Sequence, residues 1–415
     1  MIRKVLIQLH TGYKGGRTWI HRIALLCAAI LLLLSLTACG RSPSARPTGP
    51  DPAQQPARVL FLNVGKADSA LISFRGKHFL IDTGTAESLP RLVKALRSSG
   101  VQKLDCVFLT HTHDDHIGGL EGVLRLFEVG EVYAAAISEN RKDGTNAIDN
   151  KAAVAGRQVT RLKPGDRIAL GSGGDATFTV AGPIVYNKDD DNDNSLVLRL
   201  ESPQFTCLFT GDMQFAEEQS LLGAGTIKES AVLKVGNHGN ADATSRELIL
   251  AVEPRFAVIS TDSAVDTDTP AKTVLDLLQE ANVQVFVTQE AKTGVLVTAQ
   301  DGAVSAGYYD AGESGEAAEV NIRSLDREAE LLVLGNDGDE AVDMTGWWIQ
   351  SERGGEMFFI PAGTVVKPGG TLLIASGKEP PEGDLVWEEK NVWHDKKDDA
   401  AVVYDEMGRV VCKGE

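Results

Sequence analysis

The chain has 415 residues, 43% of them hydrophobic, and a formal charge of −17. That length holds two domains with substantial cores, and the ordinary apolar content excludes a disordered chain. The acidic balance excludes a surface that grips nucleic acid broadly through its phosphates.

The first 38 residues stand apart from any fold. They carry Arg3, Lys4, Lys14, Arg17 and Arg22 and no acid, and residues 23–36 are almost wholly apolar. A basic start, a short apolar core and small residues after it describe a secretory signal. An uncleaved membrane anchor is the other reading, although the apolar run is short for a bilayer. Leu36-Thr37-Ala38-Cys39 resembles the bacterial lipoprotein cleavage box, which implies that Cys39 receives a lipid and anchors the chain to a membrane. Both readings place the remainder outside the cytoplasmic membrane. Without the five cations of this segment the charge deepens to −22. Residues 39–57 are rich in proline and small polar residues and read as a flexible tether. Cys27 lies in the signal, Cys106 and Cys207 sit in apolar strand runs, and Cys412 is near the end. No disulfide framework follows from that pattern.

Residues 58–309 read as one α/β domain. Residues 58–65, 70–74 and 78–82 are apolar strand runs separated by short turns, and 88–98 is helical in pattern. Residues 104–109 form another strand run. Behind it stands Thr110-His111-Thr112-His113-Asp114-Asp115-His116-Ile117-Gly118-Gly119, and residues 118–127 then show helical spacing. Three imidazoles and two carboxylates therefore occupy a strand-to-helix turn, where α/β proteins place ligand sites. His111 and His113 are two apart, so in extended chain they point to one side and can grip one metal ion. Asp115 and His116 lie past the turn and aim toward a second ion. These ligands suit zinc, with manganese or iron as alternatives. Later runs at 205–212, 231–239, 255–260, 283–288, 294–298 and 303–305 read as strands. A helix is expected over 270–281, with Pro270 in its first turn.

The H-x-H-x-D-H pattern resembles the signature of the metallo-β-lactamase superfamily, whose αββα sandwich uses one or two metals for hydrolysis. Asp82-Thr83-Gly84 is similar to its first motif, which implies an acid that braces the histidine loop. By the same resemblance Asp212 bridges two metals and His238 ligates. The first metal would then have His111, His113 and Asp212, and the second Asp115, His116, Asp212 and His238. Asp115 and Asp212 are the implied catalytic acids. No histidine lies between His116 and His238, which sets the chain apart from lactam-cleaving members.

The run 61–72, with Asp68 and Ser69, resembles the opening of the hydrolase domain of ComEC-type competence (DNA-internalisation) proteins; Asn63, Lys66 and Ala67 depart from it. Residues 192–200 are similar to that branch's Asn-x-Ser-Leu-Val-Leu strand. Asp68, Ser69, Asn194 and Lys234 are the expected substrate-side residues, with Asn194 a further oxygen ligand. Asp189-Asp190-Asp191 reads as a calcium-like or a solvated loop, the solvated reading being favoured. Asn237 stands in place of the first histidine of His-His-Gly, and Thr269-Pro270 in place of His-Pro. Those departures remove basic groups and imply that the metals are kept while the substrate differs from DNA or turnover is lower.

Residues 310–316 read as a polar linker. Beyond it lie Trp347, Trp348, Trp387 and Trp393, while the preceding domain has no tryptophan. Short β-type runs alternate with Gly and Pro turns, the mark of an all-β sandwich. Thr345-Gly346-Trp347-Trp348-Ile349, the run 358–364, Pro368-Gly369-Gly370 and Val392-Trp393-His394 together resemble a lamin-tail domain, an immunoglobulin-like module, over residues 317–415. Its tryptophans are expected in the core and His394 at a structural or surface position.

The functional expectation is a lipid-anchored, extracytoplasmic hydrolase with two divalent ions, acting on phosphodiesters, nucleic acid outside the cell included. Two alternatives stand beside it. One is a hydrolase of small esters, lactones or thioesters on the same metals, and the other a non-catalytic surface binding module.

Overall fold

The computed structural model describes residues 56–171, 175–300, 302–312, 318–389, 391–394 and 396–414. The expected signal, the lipid-bearing Cys39 and nearly all of the tether lie outside the described residues. Among the described residues no helix is long and apolar enough to cross a membrane.

Two sheets face each other. The first has the order β15-β14-β1-β2-β3-β4-β5-β6, with β1 (Ala57–Leu62), β2 (Ala70–Phe74), β3 (Lys77–Ile81), β4 (Lys103–Leu109), β5 (Glu128–Ala135), β6 (Thr160–Leu162), β14 (Gly294–Gln300) and β15 (Ala303–Tyr309). The second runs β13-β12-β11-β10-β9-β8-β7, with β7 (Arg167–Ala169), β8 (Thr177–Gly182), β9 (Val197–Glu201), β10 (Thr206–Phe209), β11 (Val232–Lys234), β12 (Phe256–Ile259) and β13 (Gln284–Val287). Side chains alternate across each strand. Val59, Phe61, Cys106, Phe108, Cys207 and Phe209 point between the sheets. Leu60, Leu62, Leu104, Val107 and Leu109 point outward, under helices. Both faces of these strands are covered, so their sequences read as continuous apolar runs.

Helices cover the outer faces. On the first sheet lie α1 (Leu89–Ser98), α2 (Asp114–Ile117), α3 (Leu120–Leu126) and α4 (Ala147–Val154); on the second lie α5 (Phe215–Ala224), α6 (Arg246–Val252) and α7 (Lys272–Glu280). Leu89, Leu92, Val93 and Leu96 fall at helical spacing on one side of α1, and all four are buried. The result is an αββα sandwich. Helix α7 starts later than the sequence suggests: Ala271 is its cap, and Pro270 precedes the cap instead of occupying the first turn.

The C-terminal part is all-β. Strands β16 (Val320–Asp326), β17 (Leu331–Asn336), β22 (Thr371–Ala375) and β23 (Leu385–Val386) make one sheet. Strands β20 (Met357–Phe359), β19 (Trp348–Ser351), β24 (Ala401–Tyr404) and β25 (Val410–Gly414) make another. A short pair, β18 (Val342–Asp343) with β21 (Val365–Val366), completes it. Trp347, Trp387 and Trp393 fill the space between, the last two edge to face at 5.6 Å. His394 is tied locally: its N–H donates to the Asp399 carboxylate at 2.9 Å, and its Nδ1 accepts from Lys396 N at 3.2 Å.

Trp348 behaves differently from the other three. It is fully buried in the same cluster as Leu89, Leu92 and Val123, stacked 5.0 Å from Tyr404, with Met357 and Phe359 beside it. The tail thus packs on α1 and α3 and shares their core. Arg125 adds a cation–π contact to Phe359, 5.5 Å from the ring centroid. Trp348→Ala is therefore expected to cost about 3–5 kcal/mol. Chemical denaturation of the full chain should show one cooperative transition shifted to lower denaturant. Unchanged stability would mean that the two parts do not share this core.

Candidate metal centre

The site residues leave the strands at one end. β3, β4 and β5 are parallel, as are β10, β11 and β12. Asp82 follows β3, Thr110 and His111 follow β4, Asp212 follows β10, His238 lies four residues beyond β11 and Ser260 follows β12. Carboxyl ends of parallel strands are where backbone loops are free to converge on a ligand.

Local sequence explains the tight turns. A Cβ at Gly118 or Gly119 would collide with the backbone of the Thr83–Ala86 loop, so only glycine lets the histidine turn seat there. Asp82, Asn237 and His238 have φ of 57°, 42° and 54°. Three non-glycine residues in the left-handed region cluster at one site, the kind of strain that functional loops hold. Asn237 suits its position. Asparagine tolerates this backbone, and its amide donates to Asp242 Oδ1 at 2.9 Å. The residue that departs from His-His-Gly therefore closes the loop 237–242. Thr269 similarly pairs its hydroxyl with that of Thr261 at 2.6 Å, both buried.

The structure brings Asp115, His116, Asp212 and His238 together, their ligand atoms within 4.8 Å of one another. Asp212 Oδ2 is 3.2 Å from His116 Nε2 and 3.1 Å from His238 Nε2, and Asp115 Oδ2 is 3.3 Å from His238 Nε2. His111 and His113 lie side by side, Nε2 to Nδ1 2.9 Å, and the His111 ring is 4.2 Å from that of His116. The quartet is the tight set, and His111 and His113 stand next to it on the side of His116.

The outer partners fix which nitrogen each imidazole presents. His116 Nδ1 donates to Asp82 Oδ2 at 2.8 Å, and His238 Nδ1 donates to the Ser260 carbonyl at 2.8 Å. Each leaves Nε2 facing the pocket. Asp82 also accepts from Thr110 N and Thr110 Oγ1, both at 2.8 Å. The Thr110 hydroxyl in turn accepts from His111 Nδ1 at 3.1 Å. Asp82 is a brace and stands behind the donors.

Burial and charge set the protonation pattern. Burial, with the neighbouring His116, holds the His111 imidazole well below its ordinary value. Burial also disfavours charge on His116, but Asp212 and Asp82 on either side outweigh it and hold the group well above its ordinary value. Burial acts the same way on His238, and Asp212 and Asp115 overcome it, pushing it up to about 9. Burial opposes charge on Asp212, yet His116 and His238 hold it well below the usual carboxylate range.

These residues fit a metal. His116 Nε2, His238 Nε2 and Asp212 Oδ1 are buried and lack a partner of hydrogen-bond geometry, although the nitrogens sit close to the other Asp212 oxygen. Orphaned donor atoms converging from three loops need a ligand to justify them. Imidazole and carboxylate are the donors that zinc or manganese take. His116 and His238 must give up protons to ligate, so metal binding is linked to proton release.

Expectations for five residues need correction. Asn194 does not face the pocket: it is fully buried, its Oδ1 accepts from Asn187 N and its amide donates to Asn187 O and Asp191 Oδ1. Ser69 donates to the Asp82 carbonyl at 3.0 Å and is buried. Asp68 and Lys234 are 5% and 4% exposed and pair with each other behind the donors, away from the solvent side. Asp191 is not solvated. It is buried and accepts from Thr112 N and Oγ1 and from Glu139 N, pinning the histidine turn from the far side. An acid at the end of an acidic run gives no signal of this in the sequence.

Residues 62–263 match the Metallo-beta-lactamase superfamily and residues 281–413 the Lamin Tail Domain. The chain carries a metallo-β-lactamase domain followed by a lamin tail domain. The tail match begins before β14 and β15, which pair into the first sheet. The chain is 27% identical over 289 residues to "ComE operon protein 3" of Bacillus subtilis (65% of this chain, 35% of that protein). It is 28% identical over 274 residues to "Competence protein ComA" of Neisseria gonorrhoeae (63% and 36%). It thus spans about a third of the length of these curated relatives. The metallo-β-lactamase fold protein YhfI from Bacillus subtilis aligns over 59% of this chain and 99% of its own, with 14% identity and a TM-score of 0.38.

Two measurements check this construction. Asp82→Asn is expected to weaken zinc affinity by about 10–100-fold, read by competition with a chelating dye, because the brace on His116 loses its charge. An unchanged affinity would place Asp82 outside the metal machinery. Glu217, buried on α5, accepts from Ile184 N at 2.6 Å, and burial pushes its carboxyl from 4.5 to about 7. The folded state therefore binds this proton more tightly than the unfolded chain, and stability falls as pH rises from 4.5 to about 7. Glu217→Gln should flatten the slope of melting temperature against pH in that window; a parallel slope in the variant refutes the assignment.

Proposed function

We propose that the chain is an extracytoplasmic, lipid-anchored, metal-dependent hydrolase of phosphodiesters. The observation that carries the hydrolase reading is the convergence of four donors within 4.8 Å, three of their atoms buried without hydrogen-bond partners. The anchor rests on the character of residues 1–39, and the names of the curated relatives, competence proteins, favour a phosphodiester. The charge of the chain favours short or nucleotide-sized substrates over long duplexes.

His111, His113, Asp115, His116, Asp212 and His238 would hold one or two divalent cations, zinc or manganese. Such ions supply the Lewis acidity that makes water nucleophilic near neutral pH and offsets charge on the phosphate. The chain's own groups do the remaining work. Asp82 and the Ser260 carbonyl lock two imidazoles so that Nε2 faces inward. Asp212 is 2% exposed, and excluding water there strengthens every charge interaction. Asp115, with 22% of its side chain exposed, is the carboxylate that solvent reaches and the one placed to orient the attacking water.

The test is metal analysis together with hydrolysis of bis(p-nitrophenyl) phosphate. The wild-type chain should bind metal and turn the diester over. His111→Ala/Asp212→Ala should lose both while its circular dichroism stays native. Turnover at the wild-type rate in that variant would sink the proposal, and metal with ester turnover alone would favour the small-ester reading.

A further inference from the structure

Lys234 is buried behind the donors, whereas a different lysine stands at the more exposed side of the cluster. Lys66 lies in the turn between β1 and β2. Its Nζ is 3.4 Å from Asp115 Oδ2, the same oxygen that stands 3.3 Å from His238 Nε2. The ammonium is thus one carboxylate away from the cluster. Its side chain is 28% exposed, so solvent and a dissolved anion reach it.

The turn that carries Lys66 is held firmly. Leu62 N donates to Ser69 O at 2.9 Å and closes it, while Asn63 Nδ2 ties it to Ala291 O at 2.8 Å. Asp68 N donates to Asp115 O at 3.1 Å, which couples the turn to the histidine loop. Gly65, with φ +87°, sharpens it. The Nη1 of exposed Arg91 lies 3.8 Å from where a Gly65 Cβ would stand. A chain of charge −17 therefore holds one cation, Lys66, against the metal-site carboxylate Asp115 on a firmly tied turn, with Arg91 of α1 near that turn at Gly65.

An ammonium has three donors, and Asp115 takes one of them. We propose that Lys66 is the residue that captures a non-bridging oxygen of an anionic phosphate substrate at the mouth of the site. This deepens the hydrolase reading: it names the group that favours an anionic phosphoryl compound over a neutral ester. It also fits a short substrate, because a single ammonium is a point of capture and not a track.

The experiment titrates inorganic phosphate into the metal-loaded full chain by calorimetry, in wild type, Lys66→Gln and Lys66→Arg, with metal content measured in each. Loss of one charge-assisted contact should weaken phosphate binding about tenfold in Lys66→Gln, with Lys66→Arg recovering most of it. In kinetics with bis(p-nitrophenyl) phosphate the loss should fall on KM more than on kcat. Equal phosphate affinity in Lys66→Gln and wild type overturns the proposal. So does loss of metal in Lys66→Gln, which makes Lys66 a brace for Asp115, and so does a wild type that ignores phosphate. Phosphate binding that depends on Lys66 without cleavage of the diester would retire the phosphodiesterase reading and leave the anion site standing.

Discussion

The hydrogen bond from His116 Nδ1 to Asp82 is the constraint on which the site depends. Asp82 is 1% exposed, sits at a left-handed backbone position and accepts from three donors. Burial disfavours its charge and raises its carboxyl above the ordinary value even with His116 against it. A charge in so costly a place is tolerated only where partners surround it. What it secures is direction: one nitrogen of His116 is spoken for, so the other looks into the pocket. The Thr110 hydroxyl carries the same ordering to His111.

The sandwich explains why ordering by so few contacts is enough. Parallel strands from both sheets end on one side, and the inter-sheet core beneath is aromatic, with Phe108 and Phe178 4.9 Å apart. Close-packed interiors hold backbone positions to small tolerances. Behind the donors, Lys234 is paired with Asp68 and holds its ammonium 3.8 Å from Asp212 Oδ1. Two charges out of water in this way hold each other in register, and removing one would strand the other.

Much of this was legible in the chain itself, for identifiable reasons. The histidine turn could be read because its donors are contiguous and imidazoles at that spacing have few other uses. Strands β1, β2 and β3 emerged within a residue or a few of their ends, because apolar runs between Gly-bearing turns leave little choice. Asp212 and His238 were reached through resemblance alone, since nothing local separates them from other acids and histidines. What stayed hidden depends on tertiary direction. Asn194 and Lys234 sit at the expected positions along the chain, but their side chains turn inward, and a sequence does not show which way a loop residue faces. Asp191 was hidden for the same reason. Lys66 was visible only as a departure from a family pattern. Its meaning needed the 3.4 Å contact to Asp115.

The tail contributes a buried indole to the helical layer of its neighbour. Trp348 shares a core with α1, and Gly408 is so near Pro90 and Lys94 that a methyl group there would strike the helix backbone. Helix α1 descends from the loop that Asp82 begins. The seam between the modules is therefore a shared wall and not a hinge, and evolution cannot trade one module for another without rebuilding the other's roof. Proteolytic nicking at the polar stretch around residue 312 should leave both halves clasped, since what joins them lies in the oily interior and not in the connecting peptide.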